Sequence, residues 1–405
     1  MGYHVALPLH SHLIEAIIVA LDEIFLDQRY ADKVIEKLFK KNRKWGARDR
    51  KFVAESIYEI VRHKRRLAYI ADSESSLDLL AAYLYQTMAE LPHWEEFDHI
   101  NLELMKKRNS EEKPPQIANS FPDWIHELGQ QEFKDQWTKL MNALNKPAEV
   151  YLRVNTLKAQ TTPLIAELAN EEITAEPVMS DEFELPNTIK LSKRKNVFTT
   201  QVFRKGYFEV QDAGSQLVAP LLQVSPGLRV VDACAGAGGK SLHLAALMKN
   251  KGKIISLDIH DWKLKELKIR AARGGVDIIE TKLIESNKTI KRLENSFDRV
   301  LLDVPCSGLG VLRRNPDTKW KLSMEEINRL IILQREIISD YSKMCKPGGL
   351  MVYATCSILH RENEDQVKWF LDSPEGANWK LQKEERIWPH IHGFDGFYGA
   401  VLKKN

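Results

Sequence analysis

The chain has 405 residues, 43% apolar and 28% charged, with 16 prolines, which is enough to bury a substantial core in two or three domains and excludes fibrous and wholly disordered architectures. Lys plus Arg total 59 against 56 Asp plus Glu, a formal charge of +3, too mild a global excess to imply nucleic acid by itself. The four cysteines, Cys234, Cys306, Cys345 and Cys356, form no close pair, which argues against a disulfide framework or zinc knuckle and for a reducing cytosol.

The start carries no signal-peptide cleavage pattern, and no later stretch runs about 18 uninterrupted apolar residues, so a cytoplasmic protein without a membrane partner is expected. From Leu13 to about Phe39 apolar residues recur at helical spacing, Ile14, Ile17, Ile18, Leu21 and Phe25 on one face and Val34, Ile35, Leu38 and Phe39 on another. Further helices are expected through Phe52–Val61 and around 76–90 and 122–144, giving a helical domain over 1–145. Between Lys37 and Arg66 there are 12 Lys or Arg and three acids. Lys40, Lys41, Lys44, Arg65 and Arg66 belong to this run, which either meets phosphates or forms a solvated helical face.

NKPAEVYLRVN marks a change to strand-like sequence, and 146–215 reads as a small α/β connecting module. From 216 to 405 the rhythm becomes β/α alternation: LRVVDACAGAGGK enters a glycine-rich turn and a helix, and KIISLDIH, VDIIET, FDRVLLDVPC and GGLMVYATC supply further strands. Such alternation predicts a parallel sheet with helices on both faces, a Rossmann-like α/β domain whose ligands gather beyond the strands' carboxyl ends.

Gly236, Gly238 and Gly239 let backbone approach a ligand without a Cβ clash, in a register that fits neither a P-loop nor GxGxxG. Asp258, ending the next strand, can accept hydrogen bonds from both ribose hydroxyls, or serve as a helix cap. After the third strand, Asp277, Glu280 and Lys282 leave the adenine contact unassigned. Cys306 and Cys356 each follow a strand and can converge on one ligand as soft nucleophiles, while buried inert cysteine is the alternative for each. Cys234 packs in the turn and Cys345 reads as structural.

VDACAGAGGKSLHLA, SLDIH, FDRVLLDVPCSGLGVLRRNPDTKW and KPGGLMVYATCSILHRENEDQVKWFL resemble successive motifs of the RsmB/NOP family of S-adenosylmethionine-dependent RNA cytosine-5 methyltransferases. YLRVNTLK, GYFEVQDAGSQL and PHIHGFDGFYGAVLKK resemble its outer motifs, and the likeness spans roughly 148–403. The N-terminal GARDRKFVAESIYEIVRHKRRL resembles the NusB-like domain of the small-subunit rRNA branch.

The resemblance implies a class I methyltransferase fold and transfer of methyl from S-adenosyl-L-methionine to cytosine C5 in RNA. The implied substrate is 16S rRNA or an assembly intermediate, with tRNA as the alternative and a non-enzymatic RNA scaffold as the competing class. Cys356 is the implied nucleophile toward C6, Cys306 the group for product release, Asp303 the holder of the cytosine edge and Lys240 its orienting partner. Cys234, Ala235, Gly236, Ala237, Gly238, Gly239, Lys240, Asp258 and Asp303 surround the cofactor, Ala237 standing where the family commonly has proline. Arg153, Asn155, Arg313, Arg314 and Asn315 are implied to face RNA, and no metal or protein partner is required.

Overall fold

The structure, a computed structural model, describes residues 10–88 and 91–405. The chain divides into two compact units: Met1–Lys146 with Leu312–Leu322, and Pro147–Val311 with Ser323–Asn405.

The first unit is helical. The apolar periodicity resolves into two helices, Ser11–Phe25 and Ala31–Lys41. The first buries Leu13, Ile14, Ile17, Ala20, Leu21 and Ile24, a stripe that leaves Ile18 and Phe25 only partly covered. Helix Ala47–Arg62 supplies Val53, Ile57, Ile60 and Val61 to the same core, and helix Ser76–Met88 supplies Leu79, Leu80 and Leu84. Each such side chain contributes about 1.5–3 kcal/mol when fully buried. The helix expected over 76–90 is thus seen to Met88, and residues 89 and 90 lie outside the described ones. The first nine residues, where a leader was not expected, lie outside them as well. Among the described residues no helix is long and apolar enough to cross a membrane.

Residues 312–322, read in sequence as part of the catalytic region, complete the helical unit instead. A helix ends with unsatisfied carbonyls and a negative dipole end. Here Lys319 Nζ donates to the Arg62 carbonyl at 2.8 Å and Trp320 Nε1 to that of Val61 at 2.7 Å. In return Arg62 donates to the carbonyls of Leu312 and Arg313. Lys319 is 1% exposed. Burial, together with the nearby Arg62 and Arg66 charges, holds its pKa well below the ordinary lysine value.

The second unit holds two sheets. Strands β1 (Tyr151–Val154), β2 (Ala175–Pro177), β3 (Thr188–Leu191) and β4 (Phe208–Val210) form an antiparallel sheet in the order β2-β3-β1-β4. Its core gathers Leu152, Val154, Ile189 and Phe208 with Leu164 and Leu168 of helix Thr161–Asn170.

The large sheet comprises β5 (Arg229–Asp232), β6 (Lys253–Asp258), β7 (Ile279–Leu283), β8 (Phe297–Asp303), β9 (Cys345–Thr355), β10 (Trp379–Ile387) and β11 (Phe397–Lys404). Its order is β10-β11-β9-β8-β5-β6-β7. The first five strands pair in parallel, and β11 enters antiparallel between β9 and β10. The order reverses between β5 and β8, the crevice where open α/β sheets bind ligands. The antiparallel edge was not foreseen as a full pair because β10, WKLQKEERI, is mostly exposed along its length and lacks an apolar strand pattern.

Candidate active site

Asp232 ends β5, and the chain turns through Ala233–Gly238 into helix Gly239–Leu247. Gly236 and Gly238 have φ of +55° and +86°, backbone that favours glycine. A Cβ at Gly238 would meet Leu267 at 2.3 Å, whereas at Gly236 it would project into open space. The turn is braced from behind. Arg153 donates to the Gly239 carbonyl at 2.7 Å and to Gln211 at 2.6 Å, and Arg270 donates to the Ala237 carbonyl at 2.7 Å. Glu209, itself buried, holds Arg270 and Arg273.

Arg153 therefore corrects the sequence reading: it is 3% exposed, and burial lowers its pKa to about 9. Its guanidinium is used on the turn rather than on RNA. Asn155 is corrected likewise, because its amide donates to the carbonyls of Gly206 and Gly274. Both residues look like exposed polar candidates in sequence because nothing local reveals that strand β1 is covered on both sides.

Asp258 closes β6 and is buried. Its Oδ2 accepts the Gly236 N–H at 2.9 Å and its Oδ1 the His260 N–H at 2.8 Å, so it fixes the turn and also caps the following chain. Two backbone donors occupy half of the carboxylate's acceptor positions and leave the rest for hydroxyl groups. Asp232, which sequence reading passed over, is 1% exposed. Its Oδ2 accepts from Ser241 at 2.7 Å, while Oδ1 is buried without a hydrogen-bond partner. Burial, opposed by the Ser241 bond and reinforced by Asp303, pushes this carboxyl up to about 7. Cys234 is partly covered, and burial pushes its thiol well above the usual range.

The adjacent strands β8 and β9 deliver the remaining groups. Asp303 pairs in register with Ala354, which places the loops after the two strands side by side. Cys306 and Cys356, 50 residues apart in sequence, stand with their sulfurs 3.4 Å apart. The bond with Cys356, followed by burial, holds the Cys306 thiol well above its ordinary pKa. Across the switch point Lys240 Nζ contacts Asp303 Oδ2 at 2.6 Å. Burial opposes the Lys240 charge, but attraction to Asp303 and, less strongly, to Cys356 outweighs it and raises the pKa. Two thiols, a charged lysine and a carboxylate thus gather at the carboxyl ends of neighbouring strands.

Cys345 is buried within β9, away from these loops in sequence, and burial raises its pKa to about 12. Sequence reading also missed Glu362, Ser307, Ser357 and Gln334, which form a buried polar cluster behind the thiols. The available signal was the serine following each cysteine.

In the helical unit, Lys40, Lys41 and Lys44 are exposed, with Lys40 paired to Glu36 at 2.6 Å. Arg65 is instead committed to the Phe121 carbonyl and the Asp123 carboxylate, and burial lowers the pKa of Arg66. Arg65 thus has its guanidinium occupied within the unit, whereas Arg66 is half-buried with Nη2 3.5 Å from the Gln86 amide oxygen. Arg313 is corrected as well, being buried at 7% exposure, while Arg314 is half-buried and Asn315 exposed. Among the described residues no cluster of His, Cys, Asp or Glu has the arrangement of a metal site.

Residues 219–403 match the family model of 16S rRNA methyltransferase RsmB/F, and 121–197 match the ferredoxin-like domain of RsmF/B-like methyltransferases. A probable ribosomal RNA small subunit methyltransferase B of Synechocystis sp. is 35% identical over 306 residues, 70% of this chain and 67% of that protein. The probable counterpart of Bacillus subtilis is 36% identical over 274 residues, 64% of this chain and 60% of that protein. The chain thus spans less than two thirds of the length of the latter relative. Among solved structures, PH0851 superposes with a TM-score of 0.81 at 28% identity, covering 98% of this chain and 100% of its own. A methyltransferase homolog protein from Pyrococcus horikoshii has a TM-score of 0.62 at 26% identity, covering 72% and 98%.

Proposed function

Since this chain belongs to the RsmB/RsmF family of RNA methyltransferases, we propose that it methylates C5 of a cytosine in 16S rRNA with S-adenosyl-L-methionine as donor. The observation that carries the reading is the Cys306–Cys356 pair at 3.4 Å, at the same strand ends as the Lys240–Asp303 ion pair.

The residues present fit the cofactor. The open space at Gly236, the unpartnered Asp232 oxygen and the free acceptor positions of Asp258 provide a backbone cradle, an acceptor for a cationic methionine portion and a ribose holder. When bound, S-adenosyl-L-methionine supplies an electrophilic methyl group. Cys356, having released its proton, adds to cytosine C6 as the thiolate through Sγ, and the C5–C6 π electrons move into the ring, making C5 nucleophilic. Asp303, oriented by Lys240, holds the N3 and exocyclic-amine edge and stabilises the activated ring. Once C5 is methylated its proton leaves, with Cys306 assisting; the C5–C6 double bond re-forms as the C6–S bond breaks, and its electron pair returns to Cys356.

RNA is the macromolecular partner in this reading. The helical unit is taken as NusB-like, with Lys40, Lys41 and Lys44 meeting phosphates and Arg314 and Asn315 as the remaining RNA-facing candidates from the RRNPD segment. A cytosine that is unpaired or weakly stacked costs least to bring into such a site, which favours a loop of partly assembled rRNA. The cytoplasm is the proposed compartment.

The test compares methyl transfer to protein-free 16S rRNA, assembled small subunits and a tRNA pool, with products mapped by mass spectrometry. Methyl at C5 of cytosine in small-subunit rRNA is expected. Preferential labelling of tRNA replaces the substrate assignment, and RNA binding without labelling of any pool replaces the enzymatic one.

A pH dependence follows from Asp232. A cationic donor favours its carboxylate form, and the carboxyl titrates at about 7 in the empty site. Calorimetric affinity for the cofactor is therefore expected to rise up to about tenfold between roughly pH 6 and 7.5. Asp232→Asn flattens that rise. The empty protein shows the opposite trend from this group, because a carboxyl raised above its unfolded value stabilises the fold at low pH and loses that contribution as pH rises through about 7. A pH-independent wild-type affinity contradicts the assignment.

A further inference from the structure

We propose that Glu362 is a positioning residue that sets the separation of the two thiols by gripping the residue that follows each of them. Ser307 follows Cys306 and Ser357 follows Cys356, and both end on the same carboxylate. Ser307 donates its N–H to Oε1 at 2.8 Å and its hydroxyl to Oε2 at 2.5 Å; the Ser357 hydroxyl also donates to Oε2. Gln334 Nε2 completes the set at 3.1 Å on Oε1, and the same nitrogen donates to the Pro305 carbonyl at 2.9 Å. A carboxylate offers about four acceptor positions, and these four donors fill them.

The carboxylate is itself immobilised. Glu362 is 0% exposed, its main-chain carbonyl accepts from Tyr353 Oη at 2.8 Å, and neighbouring Asn363 ties Thr355 Oγ1 to the Ser357 carbonyl. A second tie joins the loops directly, from the Gly310 N–H to the Cys356 carbonyl at 2.9 Å. A buried carboxylate is costly unless every acceptor position is used. Convergence of donors from both cysteine loops means that neither loop can shift without leaving a buried group unpaired. That constraint has catalytic value, since a misplacement of about 1 Å at a reacting group costs about a hundredfold in rate.

Glu362 acts through the serines and touches no reacting atom. Its catalytic consequence rests on the two-cysteine reading given above, whereas its effect on thiol geometry does not. Glu362→Gln keeps the volume but replaces one acceptor oxygen with an NH2 group. With the NH2 at the Oε1 position the Ser307 N–H, which cannot accept, loses its acceptor; with it at the Oε2 position both serine hydroxyls must turn to accept, and the shared grip on the two loops is weakened.

The experiment has two arms, both with the full chain. In the first, the thiol oxidant diamide removes two electrons and two protons from the Cys306–Cys356 pair, and mass spectrometry follows the disulfide formed. Wild type is expected to cross-link about tenfold faster than Glu362→Gln, as loss of alignment lowers the effective concentration of one thiol at the other. Ser307→Ala and Ser357→Ala are expected to slow it as well, and they serve where Glu362→Gln does not fold. In the second arm, adduct formation with RNA and cofactor is timed in a Cys306→Ala background. Adding Ser357→Ala is expected to slow it about tenfold with RNA and cofactor affinities held, whereas Ser307→Ala with Cys306 present accumulates adduct.

Equal cross-linking in wild type and all three variants overturns the proposal. So do losses of cross-linking, kcat and affinity that fall together in step with Tm. Slower cross-linking in folded variants, combined with no adduct from Cys306→Ala on any RNA, overturns the cytosine-5 reading and leaves the positioning role standing.

Discussion

Cys356→Ala is expected to abolish methyl transfer, a loss of about 10⁴-fold or more, while Cys306→Ala arrests the enzyme bonded to its RNA through Cys356. The asymmetry follows from the roles proposed for the two thiols, which stand 3.4 Å apart: Cys356 makes the bond to C6, and the C5 proton is lost afterwards with the assistance of Cys306. Removing it spares attack and impairs release. Denaturing electrophoresis with labelled RNA and cofactor distinguishes the covalent species from electrostatic binding, and mass spectrometry places the adduct on Cys356 and the methyl on C5. An adduct on Cys306 would reverse the roles, and normal methylation by Cys356→Ala eliminates the mechanism.

The strand ends were legible because they depend on local pattern, whereas the roles of Lys240, Asp303, Cys306 and Cys356 came only with the family resemblance. Four runs read as strands close at Asp232, Asp258, Asp303 and Thr355 as β5, β6, β8 and β9, while the third, VDIIET, is displaced, β7 running Ile279–Leu283; parallel neighbours bring the strand ends together whatever the intervening sequence. Cys306 and Cys356 are the clearest instance, adjacent in space across 50 residues. The helical unit was legible for the same reason, from a 3.6-residue apolar period. The difference at Ile18 and Phe25 is one of helix rotation, which periodicity defines only to within a neighbouring residue.

What could not be read is which polar side chains turn inward. Arg153, Asn155, Arg313 and Arg65 have the composition of RNA contacts, and each is drawn to carbonyls, a carboxylate or a buried setting by folding partners distant in sequence. A cation inside a protein is tolerated only where such acceptors await it, and their positions are a tertiary property. Glu362 illustrates the same limit in reverse. Its charge suggests a solvated helix start, yet four donors converge on it because two loops meet there. The excursion of 312–322 into the helical unit is likewise set by carbonyls at a helix end and leaves no periodic trace.

Asp303→Asn is expected to lower kcat by about 10²–10³-fold. The substitution keeps the shape at the end of β8 and removes the charge that faces Lys240 at 2.6 Å. Two losses then coincide: the cytosine edge meets an amide in place of a carboxylate, and Lys240 loses its main attraction. In the wild type that attraction overrides burial and raises the Lys240 pKa, so its charge persists well into alkaline pH. Without Asp303, burial dominates and drives the pKa down. The residual activity of Asp303→Asn is accordingly expected to decline as pH rises, on the alkaline side of a profile where wild type stays flat. Single-turnover rates at saturating RNA and cofactor, measured across that range, separate this from a folding defect, which would move Tm and both affinities together. A variant that keeps its kcat and raises only KM would show that Asp303 anchors RNA in the ground state and has no part in stabilising the activated ring.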